Sequence, residues 1–369
     1  MKKRFGVAAV AVAAGCAVIF AGCNGCGANG KANEAAFSSN WYADTNFRYI
    51  QPTFTQGNTE YKDSEEVTYT VKHDREGAAN STYSVEYGDG TYKTSFYATT
   101  FDKTLIDEEF RGEYADNLTV YYYETALSFP SVTFKMKNDE SKVAEFKDGE
   151  NTVTKCYFTN VDSHLRPLYS EITTQCHLPK EFQTNVLEET YEYVNQTVKT
   201  SYKYDGSAAK SVISEGDETT VKTADKLNDT DNSLIDVCGL NIAVRAMQLS
   251  TSFTQVISVY SPAGKMQNYA FTGSSAALGD DERKTVEGIL AADDLKLYTP
   301  AEDKTLSTVC VTATLNADMK GVSQQYWFAA VDNAKNNTGR ATMVKMSVPL
   351  TFGLGTLNYS LKSIDSTVY

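Results

Sequence analysis

Few side chains in this sequence are equipped for chemistry. Seven cysteines and three histidines stand among 369 residues. His73, His164 and His177 form no His-Glu-x-x-His pattern, and there is neither a Gly-x-Ser-x-Gly elbow nor a phosphate-binding glycine loop. Cys156, Cys176, Cys238 and Cys310 lack metal-ligand spacing, so neither metal nor cofactor is expected. In NDTDNSLID, Asp229, Asp231 and Ser233 have the first spacings of a calcium loop. Leu234 stands where that loop needs glycine, however, and Leu240 where it needs a bidentate glutamate, so helix capping is the better reading. Two features remain: Cys23, whose thiolate is a good nucleophile for taking a lipid group, and 24 tyrosines spread through the chain.

Cys23 is set up by what precedes it. Lys2, Lys3 and Arg4 lead into an uncharged stretch from Phe5 to Gly22, rich in Ala and Val and ending in small residues, the pattern of an export signal. A membrane-spanning helix needs about 20 apolar residues, slightly more than this stretch offers. Phe20-Ala21-Gly22-Cys23 resembles the lipobox of bacterial cell-envelope lipoproteins, although that pattern prefers Leu where Phe20 stands. The resemblance implies a signal peptide over residues 1–22, cleavage before Cys23 and lipidation of its thiol. It also implies a body held at the extracytoplasmic face of the cell membrane. Two acyl chains hold where one does not, each buried CH2 adding about 0.8 kcal/mol. Cys16, after Ala14-Gly15, is a second such position, but cutting there would leave an apolar tail. An uncut N-terminal helix and plain secretion are the alternatives, and both also place the body outside the cytoplasm.

Residues 23–40 are rich in Gly, Asn, Ala and Ser and read as a flexible tether spanning roughly 20–25 Å. The net charge of −13 becomes −16 once Lys2, Lys3 and Arg4 leave with the first 22 residues. That excess of carboxylates argues against nucleic acid, whose phosphates need Lys and Arg, and against adhesion to anionic lipid.

The body, residues 41–369, reads as strands. VTYTVK (67–72), TYSVEY (82–87) and TYKTSFYA (91–98) alternate β-branched or aromatic residues with polar ones. Gly88-Asp89-Gly90 is placed to join the last two as a tight hairpin, and Pro262-Ala263-Gly264 marks another turn. Similar runs continue to the C-terminus, giving about fifteen strands. LIDVCGLNIAVRAM, capped by Asn232-Ser233, and DDERKTVEGILAADDL read as short helices lying on a sheet. The fold class expected is mainly β: a large curved antiparallel sheet, half-barrel or sandwich with one or two short covering helices. Residues 205–232, polar and acidic, mark either a linker between two β domains or a hairpin and loop inside one. Cys156 and Cys176 flank VDSHLRP in two strand-like runs; they either bridge or pack as free thiols, the latter being favoured.

The tyrosines suggest binding. Tyr191 and Tyr193 share one strand face and Tyr202 and Tyr204 another, unless a hairpin across Gln196–Lys199 brings all four into one ladder; a single long strand is favoured. These four are the candidate ligand contacts. In YYY at 121–123, Tyr121 and Tyr123 share a face and Tyr122 does not. DSHLRPLYSE (162–171), with a proline beside an apolar residue at a strand start, resembles curled-sheet envelope proteins of the lipoprotein-carrier kind. That resemblance implies a concave half-barrel with Arg166 near a cavity rim; a surface turn is the alternative. The expected function is that of a lipid-anchored protein, not an enzyme, binding a small apolar or glycan ligand on a curved β face. The alternatives are an envelope interaction module that pairs with another envelope protein through strand edges, and a hydrolase with dispersed carboxylates.

Overall fold

The computed structural model describes residues 54–56, 59–61, 63–79, 83–137, 141, 143–161, 164–179, 191–227, 234–247, 249, 251–252, 254–261, 264–292, 295, 297–298, 305–315, 323–329, 341–350 and 353–367. Cys23, the tether, Asn232 and Ser233 lie outside the described residues. Alternation builds the strands. In β3 (Ser64–Asp74), Glu65, Val67, Tyr69 and Val71 are buried while Glu66, Thr70 and Lys72 are exposed, the period of two that puts one face on a core.

Two short strands, β1 (Phe54–Gln56) and β2 (Thr59–Tyr61), pair with each other ahead of β3. Then follow β4 (Tyr83–Tyr87), β5 (Gly90–Thr100), β6 (Thr119–Phe129), β7 (Val132–Met136), β8 (Val143–Phe146), β9 (Glu150–Val161) and β10 (His164–Pro179). Next come β11 (Tyr191–Tyr202), β12 (Ala208–Glu215), β13 (Glu218–Asp225), β14 (Ile235–Asp236), β15 (Thr254–Ser261) and β16 (Lys265–Ser275). The last are β17 (Thr308–Leu315), β18 (Ser323–Ala329), β19 (Met343–Pro349) and β20 (Thr356–Thr367). Fifteen of them form one sheet in the order β13-β12-β11-β10-β9-β6-β5-β3-β20-β19-β18-β17-β16-β15-β14. Every pairing in it is antiparallel except the two-residue pair of β14 with β15. Residues 208–225 thus belong to this sheet as a hairpin rather than to a linker.

The sheet curls until its two ends meet, and side chains close the gap. The Tyr202 ring on β11 meets Tyr260 on β15 edge to face at 5.7 Å, and the Ser211 hydroxyl on β12 lies 3.4 Å from the Tyr260 hydroxyl. Asp236 on β14 accepts hydrogen bonds from the Tyr202 phenol and, at 2.9 Å, from the Ser170 hydroxyl on β10. Burial raises the pKa of Asp236 against these hydrogen bonds, which favour its charged form.

The segment following β14 fills the interior. Every residue from Leu234 to Met247 is buried. Asp236 caps a 3-10 turn (Val237–Gly239) by accepting from the Cys238 amide, and a short helix, Leu240–Arg245, follows. The helix was expected in this stretch, lying on a sheet; it is present, and every one of its side chains is buried. Two of its side chains bond to the sheet: Asn241 donates to the Tyr92 hydroxyl at 3.0 Å, and Arg245 makes a bidentate bond to Glu65. A second helix, Asp280–Leu290, begins with three acidic residues that suit the positive end of its dipole. It buries Val286 and Leu290, and Glu282 reaches Lys345 on β19 at 2.8 Å.

Two local expectations change. Gly88-Asp89-Gly90 does not close a hairpin. Both edges of β5 are taken, by β3 and β6, so β4 leaves to pair with β7 in a separate sheet of order β4-β7-β8. Gly90 is needed for close approach instead: a Cβ there would stand 2.6 Å from the Phe129 ring. Arg166 and Pro167 lie within β10 rather than in a surface turn, and the pairing with β9 is bulged between Pro167 and Tyr169. β15 and β16 pair antiparallel, and Gly264, just before β16, has φ +81° and an amide bonded to the Ser261 carbonyl at 2.9 Å; Pro262 and Ala263 lie outside the described residues. Cys156, Cys176, Cys238 and Cys310 are all buried free thiols.

Candidate functional site

The outer face of β5, β6, β9 and β10 carries a row of tyrosines made by strand register. Tyr97 pairs with Tyr122, Tyr122 with Tyr157, and Tyr157 with Tyr169. Their ring centroids are 4.8, 4.7 and 6.2 Å apart in turn. The rings are tilted against one another by 39° to 55°, so neighbours meet obliquely, neither stacked flat nor edge on. Cross-strand pairs of this kind each contribute about 0.2–1 kcal/mol to the sheet. Parity puts them outside: Phe96, Tyr123 and Phe158, one residue away along each strand, belong to the interior core.

A second row runs beside the ladder, one step along the same face. Glu124 pairs with Lys155, Lys155 with Glu171, and Glu171 with Lys199, so charges alternate across four strands. The Tyr122 phenol donates to Glu124, the Tyr169 phenol donates to Glu171 at 2.9 Å, and Lys155 lies 3.5 Å from Glu171. Partial burial pushes the Tyr157 phenol up to about 12, and nearby Tyr97, Glu124 and Glu171 add to the shift. Tyr97, Tyr122 and Tyr169 are raised for the same leading reason. All four are therefore neutral hydroxyls near pH 7, able to donate one hydrogen bond and accept others.

One end of the ladder is covered and the other is not. After β5 the chain leaves the sheet through a 3-10 turn and the short helix Glu108–Arg111. It lays Phe101, Ile106, Phe110 and Tyr114 against Leu168 and Tyr169. The Asp107 amide donates to the Ser201 hydroxyl at 2.9 Å, and the Tyr114 phenol donates to the Tyr202 carbonyl at 2.6 Å. Tyr169 is buried beneath this cover, whereas Tyr97 and Tyr157 keep part of their surface in solvent.

The structure does not bring Tyr193, Tyr202 and Tyr204 to one face. Residues 191–202 form one strand, so Tyr193 points outward, half exposed and 4.9 Å from His177, while Tyr202 points inward and is fully buried at the seam. Tyr204 lies in the following turn, half-buried, 5.4 Å from Tyr114. Tyr191 begins the strand opposite Pro179, and its side chain lies outside the described residues. The ladder escaped sequence reasoning because its members come from four strands. Each sits in an alternating run, but only the register puts them in one row.

Two other polar clusters are buried. Glu150 is buried and accepts from the His177 amide at 2.9 Å. It also lies 2.9 Å from His177 Nδ1, while Phe146 stacks on the imidazole at 3.9 Å. Burial pushes the Glu150 carboxyl up to about 7, against the bonds from His177. The other cluster is the Glu65–Arg245 pair. It borders a cavity of about 20 Å³ lined also by Tyr69, Thr94, Tyr123 and Asn241, room for about one water. Among the described residues no cluster of three or more His, Cys, Asp or Glu side chains is arranged to hold a metal ion. Nor is any described helix long and apolar enough to cross a membrane.

No protein-family model matches the chain, and no curated protein matches it. Among solved structures it is similar to a β-barrel-like protein of a domain of unknown function, DUF1849, from Brucella abortus. The two share 9% identity at a TM-score of 0.38, over 83% of this chain and 98% of that one.

Proposed function

We propose that this chain is a lipid-anchored, extracytoplasmic binding protein that holds a glycan on the outer tyrosine ladder. The observation that carries the reading is that two partly exposed rings, Tyr97 and Tyr157, share one sheet face with the carboxylates Glu124 and Glu171 of the adjacent row. A sugar ring presents C–H faces, which suit aromatic surface, and hydroxyls, which suit Glu124, Glu171 and the tyrosine phenols. An apolar ligand on the same face would strip water from Glu124, Lys155 and Glu171 without replacing their hydrogen bonds. The described cavity beside Arg245, about 20 Å³, is far below the roughly 300–1,000 Å³ of ordinary ligand pockets. Anchoring rests on Cys23 and its lipobox-like approach, and binding without catalysis rests on the lack of a catalytic motif.

A panel of surface glycans presented to the purified body tests the ligand. Binding by the parent, lost in a folded Tyr97→Ala/Tyr157→Ala variant, supports the reading; binding unaffected by that variant removes it. Mass spectrometry of the native protein tests the anchor, since a diacylglyceryl group on an N-terminal Cys23 is expected and an intact Met1 contradicts it. A second reading has its own observation. Strand β13 ends the sheet with both faces in solvent, and Val221 is about half exposed. An edge of that kind suits pairing with a strand of another envelope protein.

A further inference from the structure

The ladder has a second chemical property, which does not depend on the glycan reading. We propose that Tyr97, Tyr122, Tyr157 and Tyr169 form a relay for one-electron oxidation, and that Tyr97, Tyr122 and Tyr157 are where an oxidised chain cross-links to itself. Tyrosine gives up an electron readily only when its phenolic proton leaves in the same event, because the cation radical is far less stable than the neutral one. Two rungs carry their own proton acceptor: Tyr122 donates to Glu124, and Tyr169 donates to Glu171 at 2.9 Å. The raised phenols leave little phenolate near pH 7, so proton-coupled loss is the route open to them. Ring centroids 4.7–6.2 Å apart let a radical formed on one rung pass to the next. Tyr97 and Tyr157 meet solvent, and Tyr122, buried between them, contacts both.

A one-electron oxidant of the Ru(III) polypyridyl class takes one electron from a rung and becomes Ru(II); the phenolic proton goes to Glu124, Glu171 or water. A second equivalent does the same to a neighbouring rung. The two phenoxyl radicals join by one carbon–carbon bond between positions ortho to their oxygens. Each ring then moves the hydrogen from that carbon to its own oxygen, restoring two phenols. Two electrons and two protons have left, and one covalent bond has formed.

Tyr193 is the internal control. It is half exposed, and among the described residues its aromatic neighbour is His177 rather than a tyrosine. The test photolyses the purified chain with tris(bipyridine)ruthenium(II) and persulfate, which together generate Ru(III). Dityrosine emission should appear, with cross-linked peptides joining residue 97 to 122 or 122 to 157. Tyr122→Phe keeps the ring and should lose most of that cross-link. Glu124→Gln, which keeps the side-chain shape and removes the basic carboxylate, should slow cross-linking while circular dichroism stays that of the parent. Cross-links distributed by exposure alone, with Tyr193 as reactive as the ladder, would overturn the proposal. So would a yield unchanged in both variants. A chain that cross-links at the ladder yet binds no glycan upholds this inference and removes the other reading; the reverse result does the opposite.

Discussion

Phe96 and Tyr97 are consecutive residues of β5 with opposite roles. Phe96 faces inward and lies against Tyr121, Tyr123 and Phe158 at 5.5, 6.4 and 6.3 Å. Tyr97 faces outward, partly solvated, beginning a ladder whose hydroxyls meet carboxylates one row away. β6 repeats the contrast: Tyr123 belongs to the core and Tyr122 to the ladder. Aromatic residues on the two faces of the same strands thus do different work. Inside, they remove apolar area from water and fix the curl of the sheet. Outside, Tyr97 and Tyr157 keep part of their rings in solvent beside the carboxylate-bonded hydroxyls of the buried Tyr122 and Tyr169, an arrangement suited to a polar ligand.

The contrast can be broken most severely from within. Arg245→Ala leaves the Glu65 carboxylate buried without its guanidinium and should cost about 3–5 kcal/mol in denaturant unfolding. Replacing both partners with apolar residues of similar size should recover much of that loss. Phe96→Ala should cost a similar ~3–5 kcal/mol through its cavity, whereas Tyr97→Ala, next to it, should cost about 1 kcal/mol. Equal losses for the two would deny that the faces differ. Gly90→Ala drives a methyl into the Phe129 ring, and overpacking of that kind costs typically 1–3 kcal/mol.

The smallest effect is a pH dependence at Glu150. Its carboxyl, raised from 4.5 to about 7 chiefly by burial, holds its proton in the folded chain where the unfolded chain releases it. Its contribution to stability is therefore complete below about 4.5 and is lost as pH rises through about 7. Glu150→Gln removes that loss, so the stability of the variant relative to the parent should climb with pH across this window and level off above it. A difference that stays flat from acid to neutral pH would contradict the raised carboxyl.

Much of the fold was legible in the sequence. Runs such as VTYTVK and TYKTSFYA name their buried and exposed positions by alternation alone, and the 280–290 helix shows its acidic start and its apolar Val286 and Leu290. What the sequence withholds is pairing. Nothing local says that β4 is barred from β5 because both edges of β5 are occupied, or that Tyr97, Tyr122, Tyr157 and Tyr169 share a row while Tyr193 and Tyr202 do not. The helix expected within 234–247 is present at 240–245, but its enclosure was not legible, for a related reason. Half-buried helices reveal themselves by a solvated polar stripe, and this one is buried throughout, its Asn241 and Arg245 bonded to residues on distant strands.

The most direct test of the two-faced account is an NMR titration of the chain, carrying ring-labelled tyrosine, with a glycan selected from the binding panel. The account predicts that the signals of Tyr97 and Tyr157 shift progressively with added glycan while those of the buried Tyr92, Tyr269 and Tyr359 stay fixed. Shifts confined to the buried tyrosines, with the ladder signals unmoved, would place the ligand on the inner face of the sheet and contradict it.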